Sequence, residues 1–223
     1  MKIQKNTEIS TSEISEDDLT IINTMAMAEV TKDDIFTFKV VLCDNQIDRD
    51  FEAFSIETLR QLANLFVGKT VIKDHNPSSD NQIARIYRTE IQETQNISSL
   101  IAYCYMMRTA SNADLIKEIQ GGIKKEGSVG CAIGTKTCSI CGADLQKSYC
   151  RHVTGETYKG KLCYSVLSDA QDAYEFSLVA VPAQKNAGIS KKFDFEQQQV
   201  KEMQIRAKII ELHTKFGGNF YDD

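Results

Sequence analysis

Long hydrophobic runs are absent from this chain of 223 residues. No apolar stretch approaches the roughly 18 residues of a membrane-spanning helix, and the amino terminus lacks the apolar core and small-residue cleavage site of a secretory signal. We therefore expect an intracellular protein that is not secreted and does not enter a membrane. The length favours one sizeable core with appendages over two full domains.

A basic excess is also lacking. Lys and Arg total 26 against 31 Asp and Glu. Residues 1–34 hold 3 of the basic and 8 of the acidic side chains, which leaves 23 of each sign in the rest of the chain. Nucleic-acid-binding proteins usually carry a basic surface that neutralises phosphates. The charge balance makes DNA or RNA a poor candidate for the partner.

Cysteine occurs seven times, an odd number that does not suit a secreted disulfide framework. The segments Cys138-Ser-Ile-Cys141 and Cys150-Arg-His152 offer two short ligand pairs separated by eight residues, and Cys163 follows. Thiolate and imidazole suit Zn²⁺, and four protein ligands make a structural site with no position for a catalytic water. We predict zinc bound by Cys138, Cys141, Cys150 and His152, with Cys163 as the alternative to His152.

The chain divides into three segments. Residues 1–34 form an acidic appendage, in which the apolar patch Leu19–Ile22 is either a brief helix or a docking element. The folded body covers residues 35–192 and includes a knuckle-like zinc insert over residues 135–165. Residues 193–223 are charged, with apolar side chains at alternating steps of three and four, which predicts an amphipathic helical tail.

The body mixes strands with a few helices, which predicts the α+β class with strands in the majority. Ser55 caps a helix that stops near Gly68, and Asn112 caps a second helix that stops at Gly121. Enrichment in β-branched and aromatic residues predicts strands over residues 35–42, 82–91, 98–107 and 174–181, of which the second and third form a hairpin.

Three separated segments offer the side chains of a serine hydrolase. Ser128 lies in Gly-Ser-Val-Gly, where glycines permit a tight turn with free N–H groups for an oxyanion hole, or simply a turn into a strand. His75 follows a short apolar strand and is either a base projecting into a cleft or a polar surface residue. Glu175 occupies an otherwise apolar strand, so it needs a partner, either an imidazole or a cation.

Two other carboxylates could take the third position of this set. Asp74 and Asp172 remain alternatives to Glu175 as the orienting carboxylate, whereas Cys131 is assigned to the core. The chain order of base, nucleophile and carboxylate narrows the choice of family, because unrelated folds reach the same triad geometry with different orders.

In this order the motifs resemble those of the prohead proteases of tailed phages, capsid-maturation serine proteases that share the fold type of herpesvirus proteases. The resemblance lies in Asp74-His75 after an apolar strand, in the Gly-Ser-Val-Gly segment, and in Glu-Phe-Ser-Leu-Val-Ala-Val-Pro-Ala over residues 175–183. It extends in motif order from about residue 35 to residue 189. The cysteine-rich insert departs from the simplest members and places substrate access to Ser128 in question.

The resemblance implies a β-rich, barrel-like core and a serine endopeptidase with Ser128 as nucleophile, His75 as general base and Glu175 as third member. It implies no cofactor for catalysis. The implied substrates are the scaffold protein, the major capsid protein and the protease itself, cleaved inside the procapsid in the host cytoplasm. Self-cleavage would trim one of the termini, and a homo-oligomer is left open.

Two other functions remain as alternatives. The first is a catalytically inactive capsid-assembly or scaffold protein that keeps the protease fold, which the zinc insert and the helical tail favour. The second is a zinc-ribbon adaptor for nucleic acid, which the absence of a basic excess between Cys138 and Cys163 disfavours.

Overall fold

The computed structural model describes residues 14–184 and 187–189. Its helices are α1 Glu16–Met25, α2 Ile56–Phe66 and α3 Ala113–Gln120. Its strands are β1 Ile35–Asp44, β2 Glu52–Phe54, β3 Thr70–Lys73, β4 Ala84–Thr94, β5 Ile97–Met107, β6 Gly127–Cys138, β7 Thr157–Tyr158, β8 Lys161–Leu162, β9 Ser165–Leu178 and β10 Gly188–Ile189. The predicted α+β class is confirmed, whereas the predicted tail over residues 193–223 lies outside the described residues.

Local sequence signals account for most of the body. The Ser55 hydroxyl accepts a hydrogen bond from the Thr58 N–H and caps α2, as predicted. Asn112 was predicted to cap α3, but its side chain makes no capping bond, and Thr109 instead accepts from the Asn112 N–H one turn earlier. The hairpin of β4 and β5 has the predicted antiparallel pairing. β9 differs most from its prediction, because it begins nine residues earlier and ends at Leu178.

Eight strands form one mixed sheet, in the order β10-β1-β5-β4-β3-β9-β2, with β6 paired to β9. β6 runs antiparallel to β9 along its length, from Gly127 opposite Leu178 to Cys138 opposite Ser165. β3 runs parallel to the last four residues of β9, and β2 runs parallel to its first three. The end of β9 is therefore flanked by both β3 and β6.

The regular strand pairing of the described residues does not close this sheet into a barrel. Its two ends approach each other only at an isolated bridge between Glu126 and Gly188. Two hydrogen bonds support the bridge, from the Ile189 N–H to the Lys125 carbonyl at 2.6 Å and from the Gly127 N–H to the Ala187 carbonyl at 3.3 Å. The backbone just before Ser128 is thus held by β10 on one side.

One large apolar cluster joins the sheet to α2 and α3. Helix α2 contributes Leu59, Leu62 and Phe66, and each of these side chains is fully buried. Burying a large apolar side chain contributes about 1.5–3 kcal/mol, so this face of α2 anchors the helix.

A smaller cluster joins α1 to the sheet. Ile22 is fully buried against Ile35 and Tyr87, and the Arg88 guanidinium pairs with Asp18 at 3.1 Å. The apolar patch at Leu19–Ile22 is therefore part of a helix that packs on the body. No helix in the described part of the chain is both long and apolar enough to cross a membrane.

Candidate active site and metal-binding knuckle

His75 is positioned by a tight turn at the end of β3. The Asn76 N–H donates to the Lys73 carbonyl at 3.0 Å, and both central residues are left-handed, with φ of 55° at Asp74 and 51° at His75. Asp and His are enriched in this conformation relative to other residues with a Cβ. The turn directs the imidazole back over β9, where about half of the side chain is exposed.

Glu175 lies on β9 and faces this imidazole. Its Oε1 is 2.8 Å from His75 Nδ1, and its Oε2 accepts a hydrogen bond from the Ser177 hydroxyl at 2.7 Å. Only 13% of the Glu175 side chain is exposed, and a buried carboxylate is tolerated when hydrogen bonds replace its hydration. An ionised carboxylate only accepts, so the neutral tautomer that fits this contact carries its proton on Nδ1 and leaves on Nε2 the lone pair that a general base needs.

Ser128 lies across the β6–β9 ladder from this pair. It is directly opposite Ser177, so the two side chains share one face of the sheet with Glu175, and the two Cα atoms are about 5.5 Å apart. Phe176 and Leu178 point to the other face, into the core. Ser128 is partly exposed, and within the described residues its hydroxyl makes no hydrogen bond. The structure thus brings the three predicted residues to one face at the end of β9.

The predicted tight turn at Ser128 is wrong. Ser128 is the second residue of β6, and the Glu126 carbonyl before it accepts from the Val179 N–H. The Gly127 N–H points the other way, to the Ala187 carbonyl. Since antiparallel backbone groups alternate in direction, the N–H of Ser128 is directed at β9 and is not a free oxyanion donor. Pairing with β9 holds this segment in an extended conformation, although its glycines predicted a turn.

The two glycines around Ser128 allow side chains of β9 to pack close to the backbone of β6. A Cβ at Gly130 would lie 2.6 Å from Glu175 Oε1, and a Cβ at Gly127 would overlap the ring of Phe176. Gly130 therefore leaves room for the carboxylate, and Gly127 leaves room for a core ring on the opposite face.

Asp172 and Cys131 are engaged elsewhere. Asp172 is 3.1 Å from Lys69 Nζ, and this contact, with the Ala173 N–H, lowers the pKa of the Asp172 carboxyl. Cys131 packs against the core, where burial, with a smaller effect of the Glu175 charge, raises its pKa to about 11. A thiol with so high a pKa is a poor nucleophile near neutral pH.

A second group of side chains lies in the connection between β6 and β9. The ligand atoms of Cys138, Cys141, Cys150 and His152 all lie within 4.8 Å of one another, and these residues could bind a metal such as zinc. The Cys141 and Cys150 sulfurs are 3.6 Å apart, and His152 Nδ1 is 3.5 Å from the Cys150 sulfur. Tetrahedral Zn²⁺ with Zn–S bonds of about 2.3 Å separates neighbouring sulfurs by about 3.8 Å, so the spacing fits.

The backbone around Cys138 favours a thiolate. Burial is the largest single effect and opposes ionisation, but the N–H groups of Cys141 and Ile140, together with the Cys150 and Cys141 thiols, lower the pKa of Cys138 to about 6. The alternative ligand Cys163 is buried, with its sulfur 3.9 Å from that of Cys138, so both predicted ligand sets converge on one place.

The knuckle and Ser128 lie at opposite ends of β6. Cys138 lies ten positions after Ser128, and an extended strand rises about 3.3 Å per residue, so the two positions are about 30 Å apart along β6. The cysteine-rich insert, which raised the question of substrate access to Ser128, therefore begins at the far end of this strand.

No family model, curated protein or solved structure matches this chain. The site is therefore described by its own geometry. That geometry includes a residue that the sequence analysis did not assign, Ser177, which contacts both His75 and Glu175. The signal for it was the alternation in Glu-Phe-Ser, which places residues 175 and 177 on one face of a strand.

Proposed function

We propose that this protein is a serine endopeptidase of the Ser-His-Glu type. The observation that carries the proposal is the 2.8 Å contact between His75 Nδ1 and Glu175 Oε1, formed on the face of β9 that Ser128 shares. A base held by a carboxylate beside a serine is the arrangement that activates a hydroxyl for acyl transfer.

Each residue has a distinct role in the proposed reaction. His75 Nε2 takes the proton of the Ser128 hydroxyl as the oxygen attacks a peptide carbonyl, and then gives that proton to the leaving amine. Glu175 keeps the proton on Nδ1 and stabilises the imidazolium that forms. Water then attacks the acyl carbon and loses a proton to Nε2, which gives that proton to the Ser128 oxygen as the acyl group leaves.

The biological setting follows from the resemblance of the motifs to the prohead proteases. We propose that the substrates are segments of the scaffold protein and of the major capsid protein, together with the protease itself. The reaction would then take place inside the phage procapsid, in the host cytoplasm. The bridge between Glu126 and Gly188 supports a barrel-like core of the herpesvirus-protease type, because it joins the two ends of the sheet.

We also propose that the knuckle holds a structural Zn²⁺ through Cys138, Cys141, Cys150 and His152. The support is the donor set, since three thiolates and an imidazole suit zinc, and four protein ligands leave no coordination position for a reacting water. The metal would supply rigidity to the connection between β6 and β9 and would take no part in the reaction at Ser128.

Coexpression with capsid and scaffold proteins tests the endopeptidase. The wild-type chain should trim both proteins, and Ser128→Ala should abolish the trimming. Ser168→Ala on β9 is the matched control, because Ser168 lies nine residues before Ser177 and belongs to neither site. Trimming that survives Ser128→Ala would remove Ser128 from the mechanism.

A catalytically inactive capsid-assembly protein is the second candidate. The observation that favours it is the Ser128 hydroxyl, which makes no hydrogen bond to the imidazole within the described residues. Catalytic hydrogen bonds are often long before substrate binds, so this observation weighs less than the contact between His75 and Glu175. Assembly of capsids with unprocessed proteins in the presence of the wild-type chain would support this candidate.

A further inference from the structure

Ser177 connects the backbone of His75 to the carboxylate of Glu175. Its hydroxyl donates to Glu175 Oε2 at 2.7 Å and accepts the backbone N–H of His75 at 2.9 Å. Ser177 has no exposed surface, so water does not compete for either bond. We propose that Ser177 is a positioning residue that fixes His75 and Glu175 relative to Ser128. This inference rests on the proposed function.

The bond to Glu175 orients the carboxylate. The terminal torsion of a glutamate has a broad rotational preference, so nothing within the side chain fixes the plane of the carboxylate. The Ser177 hydroxyl holds Oε2, and this leaves Oε1 facing His75 Nδ1. Gly130 leaves this position open, because a Cβ there would lie 2.6 Å from Oε1. The carboxylate plane is therefore set by the Ser177 hydroxyl and the His75 imidazole.

The bond to His75 supports the turn that carries the imidazole. Left-handed backbone is unfavourable for residues with a Cβ, and Asp74 and His75 adopt it in succession. The Ser177 hydroxyl gives the His75 N–H its partner, while the preceding Asp74 N–H donates to the Leu178 carbonyl at 3.0 Å. Without the hydroxyl the His75 N–H has no partner there, and the Asp74 N–H bond to Leu178 is left to hold the turn on β9.

The same residue relates this pair to the nucleophile. Ser128 is directly opposite Ser177 in the ladder of β6 and β9. The residue that positions the base is therefore also the cross-strand neighbour of the nucleophile. A displacement of about 1 Å between reacting groups can lower a rate about 100-fold. Positioning by Ser177 should therefore appear in turnover more than in substrate binding.

Kinetics of three full-length variants test the positioning role. Ser177→Ala should lower kcat about 100-fold with little change in KM, because it removes alignment and leaves substrate contacts intact. Ser177→Thr keeps the hydroxyl and should recover most of the lost kcat. Ser168→Ala, the control on the same strand, should match the wild type. Circular dichroism of each variant monitors the fold, and Ser177→Cys takes the place of Ser177→Ala if the alanine variant does not fold.

Proton NMR of His75 provides a readout that does not need activity. In a Ser128→Ala background the Nδ1 proton bonded to Glu175 should give a downfield signal, which Ser177→Ala should shift or abolish and Ser168→Ala should preserve. An unchanged signal together with an unchanged kcat in Ser177→Ala would overturn the positioning role. A signal lost in Ser177→Ala while the wild type cleaves no substrate would instead overturn the proposed function and leave the positioning intact.

Discussion

At the residue scale, Glu175 is a charge on a strand whose other face belongs to the core. Phe176 on that face is fully buried, while the carboxylate is satisfied by the His75 imidazole and the Ser177 hydroxyl. A carboxylate in such a position is costly unless its partners are present. The hydrogen bonds of the site therefore stabilise one mostly buried carboxylate, that of Glu175.

Replacing this carboxylate tests its role. Glu175→Gln keeps the shape of the side chain but removes the charge that holds the proton on Nδ1 and stabilises the imidazolium, so kcat should fall about 10⁴-fold. Glu118→Gln, which alters an exposed pair with Lys124, should leave kcat unchanged. Steady-state hydrolysis of a peptide substrate measures both, and a fall of less than about tenfold in Glu175→Gln would count against the triad.

The glycine beneath the carboxylate gives a second prediction. Gly130→Ala should displace Glu175 Oε1 from His75 and lower kcat about 100-fold, because the added Cβ would lie 2.6 Å from that oxygen. Gly134→Ala on the same strand is the matched control, since its Cβ meets the carboxylate of Asp169, which is exposed and free to move into solvent. Equal activities in the two variants would contradict the close approach at Gly130.

At the element scale, the ladder of β6 and β9 carries both candidate sites. Its pairing contains two register shifts, after Gly130 and after Ala132, and its far end at Cys138 leads into the knuckle. A shift of one residue in such a ladder moves every side chain to the other face. A metal that ties Cys138 to residues 141–152 would hold the open end of this ladder in register, although it lies far from Ser128.

Removal of the metal tests this coupling. A chelator should lower the hydrogen-exchange protection of amides in β6 and β9 about tenfold or more, while α2 stays protected, because metal binding stabilises only the structure that it closes. Added Zn²⁺ should restore protection. Cys141→Ser, at an exposed thiol, should bind no metal, and Cys131→Ser should keep one ion per chain by elemental analysis. Unchanged protection after complete metal loss would contradict the coupling.

The elements differ in how far the sequence predicted them. The bounds of α3 and the hairpin of β4 and β5 were predicted, because helical periodicity, the glycines after α3 and a short polar connection are local signals. The first half of β9 was missed, since Ser168, Asp169 and Gln171 show no apolar alternation and the segment is a strand through its pairing with β6. The strand conformation of Ser128 was missed for the same reason.

At the scale of the whole molecule, the amino-terminal segment contributes to the core despite its acidic composition. Ile22 is fully buried, and the salt bridge from Asp18 to Arg88 joins α1 to β4. Most of the charged residues in its described part, residues 14–34, are exposed, so composition alone described the segment as an appendage. Packing of an amphipathic helix depends on one face and not on the average of all faces.

A cavity substitution measures this contribution. Ile22→Ala should lower the free energy of unfolding by about 2–5 kcal/mol, because it removes a fully buried side chain at the contact between α1 and the sheet. Met27→Ala should change stability by less than about 0.5 kcal/mol, because Met27 is fully exposed. Urea denaturation followed by circular dichroism gives both values. Similar values for the two variants would show that α1 does not stabilise the body.

The central claim is that His75, held by Glu175, activates Ser128. Mass spectrometry of the chain after reaction with a fluorophosphonate probe tests it most directly, since the probe reacts only with an activated serine. The account predicts one adduct per chain on Ser128, lost in His75→Ala and retained in Ser168→Ala. Absence of an adduct on Ser128 in the wild type, or labelling of Ser128 that persists in His75→Ala, would contradict the account.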